Sequence, residues 1–206
     1  MSIHTIVFDG GDTLIKINPA YQGPMALWPE LEVVDGVGEM LTGLAGKYRL
    51  VVGSNASDSD AGLIKKAMVR LGLDSSFSAY YTPAELDGAR KPQEAFFHAL
   101  EGYLGLPGSE LVMVGDSYKV DISGAVASGW RAVWYNPAGI PAPGLSPLHA
   151  AEISRLIELP KTVKAAQVSA CRDVYLIATR QDVAHDKRSL PRARSRRTPS
   201  GSDKAG

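Results

Sequence analysis

The sequence has a single cysteine, no excess of either charge and no long apolar run. Cys171 has no partner within the chain, so an internal disulfide is excluded. The 22 basic and 22 acidic residues balance, which gives no reason to expect nucleic acid or an anionic membrane as a partner. The four histidines are scattered, unlike the paired ligands of a zinc site. Residues 3–8 are too short an apolar run for a signal peptide or a membrane-spanning helix, so we expect a cytoplasmic protein.

The composition is that of an ordinary globular protein. Hydrophobic residues make up 45% of the 206 residues and charged residues 21%, which is enough for one well-buried domain with a tail. We expect residues 1–160 to form this core domain and residues 161–180 a C-terminal extension. Residues 181–206 are polar and rich in arginine, and we expect a disordered basic tail there.

Short apolar segments alternate with amphipathic ones along the first 160 residues. Strands without polar alternation, separated by amphipathic helices, are typical of a parallel sheet with helices on both faces. The sequence therefore predicts a doubly wound, Rossmann-like α/β fold. Pro92 is expected in the first turn of a helix, and residues 150–159 in a last small strand and a helical turn. The predicted strands are 3–8, 49–53, 77–81, 111–114 and 131–135, and the other predicted helices are 37–48, 60–73 and 121–128.

Three of the predicted strands end in polar or acidic residues. Asp9 follows the first strand, Ser54 and Asn55 follow the second, and Asp116 follows the strand that begins at Leu111. Ligands of parallel sheets bind at the carboxyl ends of the strands. The sequence therefore predicts that these side chains meet at one edge of the sheet.

Four motifs in a fixed order contain these residues. They are residues 7–14 (VFDGGDTL), 52–55 (VGSN), 88–92 (GARKP) and 114–121 (VGDSYKVD). Together they resemble the motifs of the haloacid dehalogenase-like hydrolase superfamily, and specifically its phosphatase-rich branch. The resemblance spans residues 3 to about 135. It implies a phosphatase-like hydrolase of the phosphoric monoester class, whose partner is a phosphorylated substrate.

The resemblance assigns a role to each motif. Asp9 would be the nucleophile, because a carboxylate that attacks phosphorus splits hydrolysis into two easier displacements through an aspartyl phosphate. Ser54 would act with it by binding the phosphoryl oxygens, together with the backbone at Gly10 and Asn55. Lys91 would neutralise charge on the nucleophile and the phosphate. We favour Lys91 over its neighbour, Arg90, because the family signature is Lys-Pro.

The resemblance also implies a bound Mg²⁺. Hard Mg²⁺ prefers carboxylate, carbonyl and water oxygens, usually with one or two protein carboxylates. The implied ligands are Asp9, the backbone carbonyl of Gly11 and Asp116, while Asp121 would bind the metal or orient a metal-bound water. The alternative for Asp121 is a helix N-terminal acid that the helix dipole stabilises.

The sequence departs from the family pattern at Gly11. The family's phosphatases carry a general acid/base aspartate there, whose effect is typically worth about 10²–10⁴-fold, and this chain has an acid only one residue later, at Asp12. Three interpretations follow: activity on substrates with good leaving groups, such as acyl phosphates or activated aryl esters; a reshaped turn through which Asp12 reaches the site; or a catalytically weakened phosphate- or protein-binding module. A dehalogenase is less attractive, because those enzymes work without Mg²⁺ and the fourth motif argues for a metal.

The second departure is the absence of a large cap. Many relatives insert a helical cap after the first motif, whereas this chain has only a short flap, residues 15–36, with no long helical pattern. We therefore expect an open site with a flap that bears Tyr21, Met25 or Trp28. For Trp28, simple packing over the sheet edge is the favoured alternative. The sequence identifies neither the substrate nor the oligomeric state.

Overall fold

The computed structural model describes residues 2–143 and 150–167, and their centre is a six-stranded sheet. All pairs of neighbouring strands are parallel, and the order is β3-β2-β1-β4-β5-β6. The strands are β1 (Thr5–Phe8), β2 (Arg49–Gly53), β3 (Ala79–Tyr81), β4 (Leu111–Gly115), β5 (Arg131–Tyr135) and β6 (Ala150–Ile153). The chain runs outward from β1 in one direction to β3 and then returns to β4, which confirms the predicted doubly wound α/β fold.

Four helices connect these strands, and residues 159–167 are also helical. None of the described helices has the length and apolar character needed to cross a membrane. The helices are α1 (Val37–Leu44), α2 (Ala61–Arg70), α3 (Glu94–Leu104) and α4 (Ser123–Ala127). Short 3₁₀ turns occur at Met25–Leu27, Asp74–Ser76, Gly108–Glu110 and Leu156–Glu158, and a π-helical turn at Tyr118–Ile122 precedes α4.

Several predicted boundaries were wrong by a few residues. α1 and α2 are shorter than predicted, and each is followed by a glycine with positive φ, Gly46 at 70° and Gly72 at 71°. A residue with positive φ ends a helix, and glycine adopts this conformation with little steric strain because it has no Cβ. Pro92 lies outside α3, because Gln93 is the N-cap residue, and the Lys91–Pro92 peptide bond is cis. The predicted tail, residues 181–206, lies outside the described residues.

The hydrophobic core lies on both faces of the sheet. Ile6 and Phe8 belong to one cluster with residues of α1 and α2, whereas Val7 belongs to the other cluster with residues of α3 and α4. Alternate residues of a strand point to opposite faces, so the all-apolar sequence of β1 is explained by helices on both sides. Burying each of these side chains stabilises the fold by about 1.5–3 kcal/mol.

This architecture aligns the ends of the central strands. Phe8, the last residue of β1, pairs with Val52 of β2 and with Val114 of β4. The residues that follow each pairing, including Asp9, Ser54 and Asp116, therefore emerge at the same level of one sheet edge. The predicted convergence of these residues follows directly from this register.

Candidate active site

A buried lysine connects the first and last motifs. The Nζ of Lys91 lies 2.6 Å from Oδ1 of Asp9 and 2.7 Å from Oδ1 of Asp121, and the lysine side chain is fully buried. Burial by itself lowers the Lys91 pKa, but the negative charges of Asp9 and Asp121 outweigh it and raise the pKa above its ordinary value. Lys91 therefore holds a positive charge against Asp9, the carboxylate that is predicted from the sequence to be the nucleophile.

Asn55 fixes the position of Lys91. Its side-chain Nδ2 donates to the carbonyl of Lys91 (2.8 Å), and the backbone N–H of Lys91 donates to its Oδ1 (2.9 Å). Both polar atoms of the Asn55 side chain thus bond to Lys91. The phosphate contact predicted for Asn55 therefore stays a prediction, and it concerns the backbone N–H. This pairing joins residues 36 positions apart and was not predicted from the sequence.

We expect Asn55→Ala to loosen Lys91 without removing any charge from the site. The loss of two hydrogen bonds to a buried backbone should cost about 1–3 kcal/mol of stability and lower any phosphatase activity by roughly tenfold, a loss of about 1.4 kcal/mol in transition-state stabilisation. Chemical denaturation and steady-state kinetics measure the two effects. Ser75→Ala, at an exposed position outside the lining of the cavity beside Asp9, is the matched control, and equal values for the two variants would contradict the positioning role.

Three carboxylates form a cluster beside Lys91. Asp9, Asp116 and Asp121 each place a carboxylate oxygen within 4.8 Å of the others. Burial, followed by the charge of Asp9, raises the pKa of Asp116. Asp116 is held by Thr13, whose hydroxyl donates to Oδ1 of Asp116 (3.2 Å) and accepts from the Asp116 backbone N–H (3.1 Å). No role was predicted for Thr13 from the sequence, although its place directly after a polar turn was the available signal.

Asp121 faces this cluster from the π-helical turn. Its Oδ2 accepts from the backbone N–H of Ser117 at 3.1 Å, while its buried Oδ1 accepts no hydrogen bond and faces only Lys91 as an ion pair. Burial raises the Asp121 pKa to about 6, although the charge of Lys91 opposes this shift. Gly115 makes room for the carboxylate, because a Cβ there would collide with Asp121. The side chain is therefore directed to the carboxylate cluster.

The composition of this cluster fits a divalent cation. Three carboxylates and one ammonium leave two net negative charges, which one divalent ion balances. Apart from its ion pair with Lys91, the buried Oδ1 of Asp121 makes no hydrogen bond. Among the residues that the structure describes, no backbone N–H donates to the Gly11 carbonyl. An all-oxygen donor set of this kind suits Mg²⁺, so the predicted ligands fit the predicted metal.

Ser54 lies next to the turn that follows Asp9. A Cβ built on Gly10 would be 3.6 Å from the Ser54 hydroxyl oxygen, so the absence of a side chain at Gly10 leaves space between the two strand ends. The hydroxyl oxygen accepts from the backbone N–H of Ala56 at 3.2 Å, and its proton stays available to a ligand. Ser54 and the backbone at Gly10 can therefore bind an anion beside Asp9.

Asp12 has a structural contact rather than a contact with Asp9. Its φ is 52°, a left-handed conformation that aspartate tolerates better than most residues, and its Oδ1 accepts from the backbone N–H of Ile17 at 2.8 Å. The carboxylate thus closes the turn between the first motif and the flap. This contact gives no support to the interpretation in which a reshaped turn brings Asp12 into the site.

The position of Gly11 is covered by the flap. A Cβ built on Gly11 would lie 2.7 Å from Cδ1 of Ile17 and 3.6 Å from Cε of Met25. The end of the half-exposed Ile17 side chain would therefore have to move to admit an acid at this position. Ile17 was not among the predicted flap residues, because the flap has no regular apolar spacing that indicates which side chains turn inward.

The flap and α2 line a cavity of about 410 Å³ next to the carboxylates, and this cavity is open to solvent on one side. Its apolar wall is formed by the flap residues Ile17, Met25 and Trp28 together with the α2 residues Ile64 and Met68, while Asp9 and Asp116 lie at its polar end. Trp28 is buried and its Nε1 donates to the Gly23 carbonyl at 2.9 Å, so it both packs and lines the cavity. Arg70 holds the flap on α2 by donating to the carbonyls of Ala26 and Pro29.

Comparisons with known proteins agree with this geometry. Residues 88–139 match the family model described as HAD-hydrolase-like, a region that contains Lys91, Asp116 and Asp121. The chain is 29% identical over 136 residues to human N-acylneuraminate-9-phosphatase, an alignment that covers 66% of this chain and 53% of that protein. The chain is therefore similar to haloacid dehalogenase-like (HAD) hydrolases in the region that contains these site residues. It spans about half the length of the curated relatives that it matches.

Solved structures of HAD proteins share the fold. A HAD phosphatase from Thermococcus onnurineus is 30% identical with a TM-score of 0.55, and the match covers 65% of this chain and 59% of that one. An uncharacterized protein from Listeria monocytogenes serotype 4b matches with a TM-score of 0.71 at 24% identity, over 80% of this chain and 98% of that one. The second likeness concerns the fold alone.

Proposed function

We propose that this chain is a Mg²⁺-dependent phosphohydrolase that acts through a phosphorylated Asp9. The observation that carries the proposal is the buried Lys91, whose Nζ contacts Oδ1 of Asp9 and Oδ1 of Asp121. Asp9 lines the cavity, and the positive charge of Lys91 offsets the negative charge of its carboxylate. A second anion can therefore bind beside Asp9 with less repulsion. The names of two relatives, which are phosphatases, support phosphate as this anion.

Different residues are proposed for nucleophilic attack and for neutralising the charge of the phosphoryl group. Lys91 holds Oδ1 of Asp9, which leaves the second carboxylate oxygen to attack phosphorus. The Ser54 hydroxyl and the backbone N–H groups beside Gly10 and Asn55 bind the phosphoryl oxygens. Asp9, Asp116, Asp121 and the Gly11 carbonyl are the proposed ligands of Mg²⁺, which when bound neutralises charge on the phosphoryl group.

The test is Mg²⁺-dependent hydrolysis of an aryl phosphate by the wild type and by Asp9→Asn. We expect Asp9→Asn to lower the rate by at least about 10³-fold, because the amide is nearly isosteric but is not a nucleophile. Asp87→Asn, an exposed acid outside the cluster, is the matched control and should keep the wild-type rate. Equal rates for Asp9→Asn and the wild type would contradict the proposal.

Two further measurements separate the parts of the proposal. Mass spectrometry after an acid quench should find a covalent phosphate on Asp9, and beryllium fluoride should bind in its place only when Mg²⁺ is present. A panel of phosphate esters should include N-acylneuraminate 9-phosphate, because the curated relatives are named for it.

A second candidate is a phosphate-binding module that hydrolyses very slowly. It is favoured by the position of Ile17 and Met25 beside Gly11, because both side chains are apolar and neither delivers a proton. This candidate predicts Mg²⁺-dependent binding of inorganic phosphate or beryllium fluoride, detectable by calorimetry, without turnover of any ester above the Asp9→Asn rate.

A further inference from the structure

We infer that the site takes phosphoryl donors with a compact, apolar leaving group that departs without a proton, such as acidic aryl phosphates, and remains phosphorylated for most of each turnover. The inference rests on the proposed phosphohydrolase function and narrows it to a class of substrate. Three features of the cavity lead to it: the cover over Gly11, the contacts of the nearby acids, and the apolar wall.

The first feature is the environment on the open side of Asp9. Gly10 and Gly11 contribute no side chains, and Ile17 lies over Gly11 so closely that an added Cβ would contact its Cδ1 at 2.7 Å. Met25 closes the same space, with its Cε 3.6 Å from that Cβ position. The surroundings of a departing group at this point are aliphatic carbons, which neither give nor accept protons.

The second feature is that the neighbouring acids already act as acceptors. The acids that line the cavity are Asp9, Asp12, Asp58 and Asp116, and the described lining residues include no histidine, tyrosine or cysteine. Asp12 accepts from the Ile17 backbone, and Asp116 accepts from Thr13. Asp58, which is exposed, accepts from the Ser59 hydroxyl. None of these contacts presents a proton to a group bonded at Asp9.

The third feature is the apolar wall. The cavity of about 410 Å³ falls in the size range of small-molecule sites. Ile17, Met25, Trp28, Ile64 and Met68 line it beside the carboxylates. These side chains offer contact area to a ring or a short chain, whereas the polar lining residues Ser57, Asp58 and Ser59 lie on the segment that follows Asn55. The wall therefore suits an aryl group or a short acyl group.

The chemistry balances without an added acid in the first step. An oxygen of Asp9 bonds to phosphorus while the bond from phosphorus to the leaving oxygen breaks, and that oxygen leaves with the electron pair as a phenolate or carboxylate. In the second step, water attacks phosphorus, the bond to Asp9 breaks, and phosphate and one proton are released. The described side chains beside Gly11, Ile17 and Met25, take no proton from this water, so we expect the second step to be slow.

The test compares phosphates with leaving groups of graded acidity: acetyl phosphate, substituted phenyl phosphates, phenyl phosphate and an alkyl phosphate. Carboxyl groups have pKa values near 4 and simple phenols near 10. We expect kcat/KM to fall steeply along this series, with the alkyl phosphate at least about 100-fold below a nitrophenyl phosphate. N-acylneuraminate 9-phosphate, whose leaving group is an alcohol, should be equally poor.

The second readout is a burst. Rapid mixing with a nitrophenyl phosphate should release one equivalent of nitrophenolate per site before slow steady turnover, the kinetic sign of an accumulating covalent intermediate. The steady-state kcat should then be the same for the reactive substrates of the series. A flat dependence of kcat/KM on leaving-group acidity would overturn the inference, and so would turnover of reactive substrates without a burst.

A variant that restores an acid provides the third readout. In Gly11→Asp alone, the new side chain would collide with Ile17, so this substitution is combined with Ile17→Ala. The single variant Ile17→Ala is the control. The double variant should raise kcat/KM for the alkyl phosphate by about tenfold or more and change that for nitrophenyl phosphate much less. If the wild type hydrolyses alkyl phosphates well and Asp12→Asn or Asp58→Asn abolishes this, that aspartate is the acid and the inference is wrong.

The failure of this inference differs from the failure of the proposed function. If no substrate is turned over or phosphorylates the protein above the Asp9→Asn background, the phosphohydrolase function is wrong, and the inference fails with it. If Asp9 is phosphorylated and all leaving groups react alike, only the inference about leaving groups is wrong.

Discussion

Replacing Lys91 with methionine should abolish the proposed phosphoryl transfer and lower the free energy of unfolding by about 3–5 kcal/mol. The lysine side chain is fully buried between Asp9 and Asp121. Methionine has a similar length but no charge, so it leaves two carboxylates with no counter-charge. Removing one partner of a buried ion pair is costly because the other charge is neither solvated nor paired. Urea denaturation and the aryl phosphate assay measure the two effects.

The destabilisation of Lys91→Met should depend on pH. In the wild type, burial already raises the Asp121 pKa to about 6 against the effect of Lys91, so loss of the lysine raises it further. The folded variant then binds a proton more tightly than the unfolded chain does, and its stability increases as the pH falls from 8 toward 5. The variant should therefore differ more from the wild type at pH 8 than at pH 5.

Two further variants make this prediction specific. Lys119→Met, at an exposed lysine in the fourth motif, should change neither stability nor activity by a measurable amount. Adding Asp121→Asn to Lys91→Met should recover part of the lost stability, because it removes one of the uncompensated charges. Equal stability of Lys91→Met and the wild type at pH 8 would show that Lys91 does not compensate the buried carboxylates.

The carboxylate cluster illustrates how much of this site could be predicted from the sequence. Asp9 and Asp116 each follow an apolar run without polar alternation, which identifies the ends of buried parallel strands. The neighbouring positions of β1 and β4 then bring the two residues together. Lys91 comes from a segment 82 positions away from Asp9, so its contact was accessible only through the order of the motifs and the family that they resemble.

The contacts that hold the site in place were not predictable in the same way. Asn55 with Lys91, and Thr13 with Asp116, are hydrogen bonds between irregular segments, 36 and 103 positions apart. No periodicity indicates which way such side chains point. The contact of the flap with Gly11 was equally unpredictable. Ile17 lies beside Gly11 because of a turn in which Asp12 has a positive φ.

Mg²⁺ should stabilise the protein strongly, and Asp116→Asn should abolish most of this effect. Binding at 100 times the dissociation constant contributes about 2.7 kcal/mol, which raises the melting temperature of a domain of this size by roughly 5–10 °C. The gain is expected because the cation balances the two net negative charges of Asp9, Asp116, Asp121 and Lys91. Asp87→Asn removes an exposed acid outside the cluster and should keep the full stabilisation.

The sign of the pH dependence follows from Asp121. Its pKa of about 6 in the metal-free folded protein lies above the ordinary carboxyl value of about 3.9. Asp121 therefore lowers the free energy of unfolding of the metal-free protein as the pH rises from 4 to 6, and this loss of stability reaches its full size above pH 6. Mg²⁺ binds the ionised form, so its stabilising effect should be largest above pH 6 and decline below it, by up to about tenfold in affinity per pH unit.

Calorimetric titration of the protein with Mg²⁺ at pH 5 and pH 7.5 checks this pH dependence. An affinity that is equal at both pH values would show that Asp121 does not contribute to the metal site, whereas loss of binding in Asp87→Asn would place the metal elsewhere.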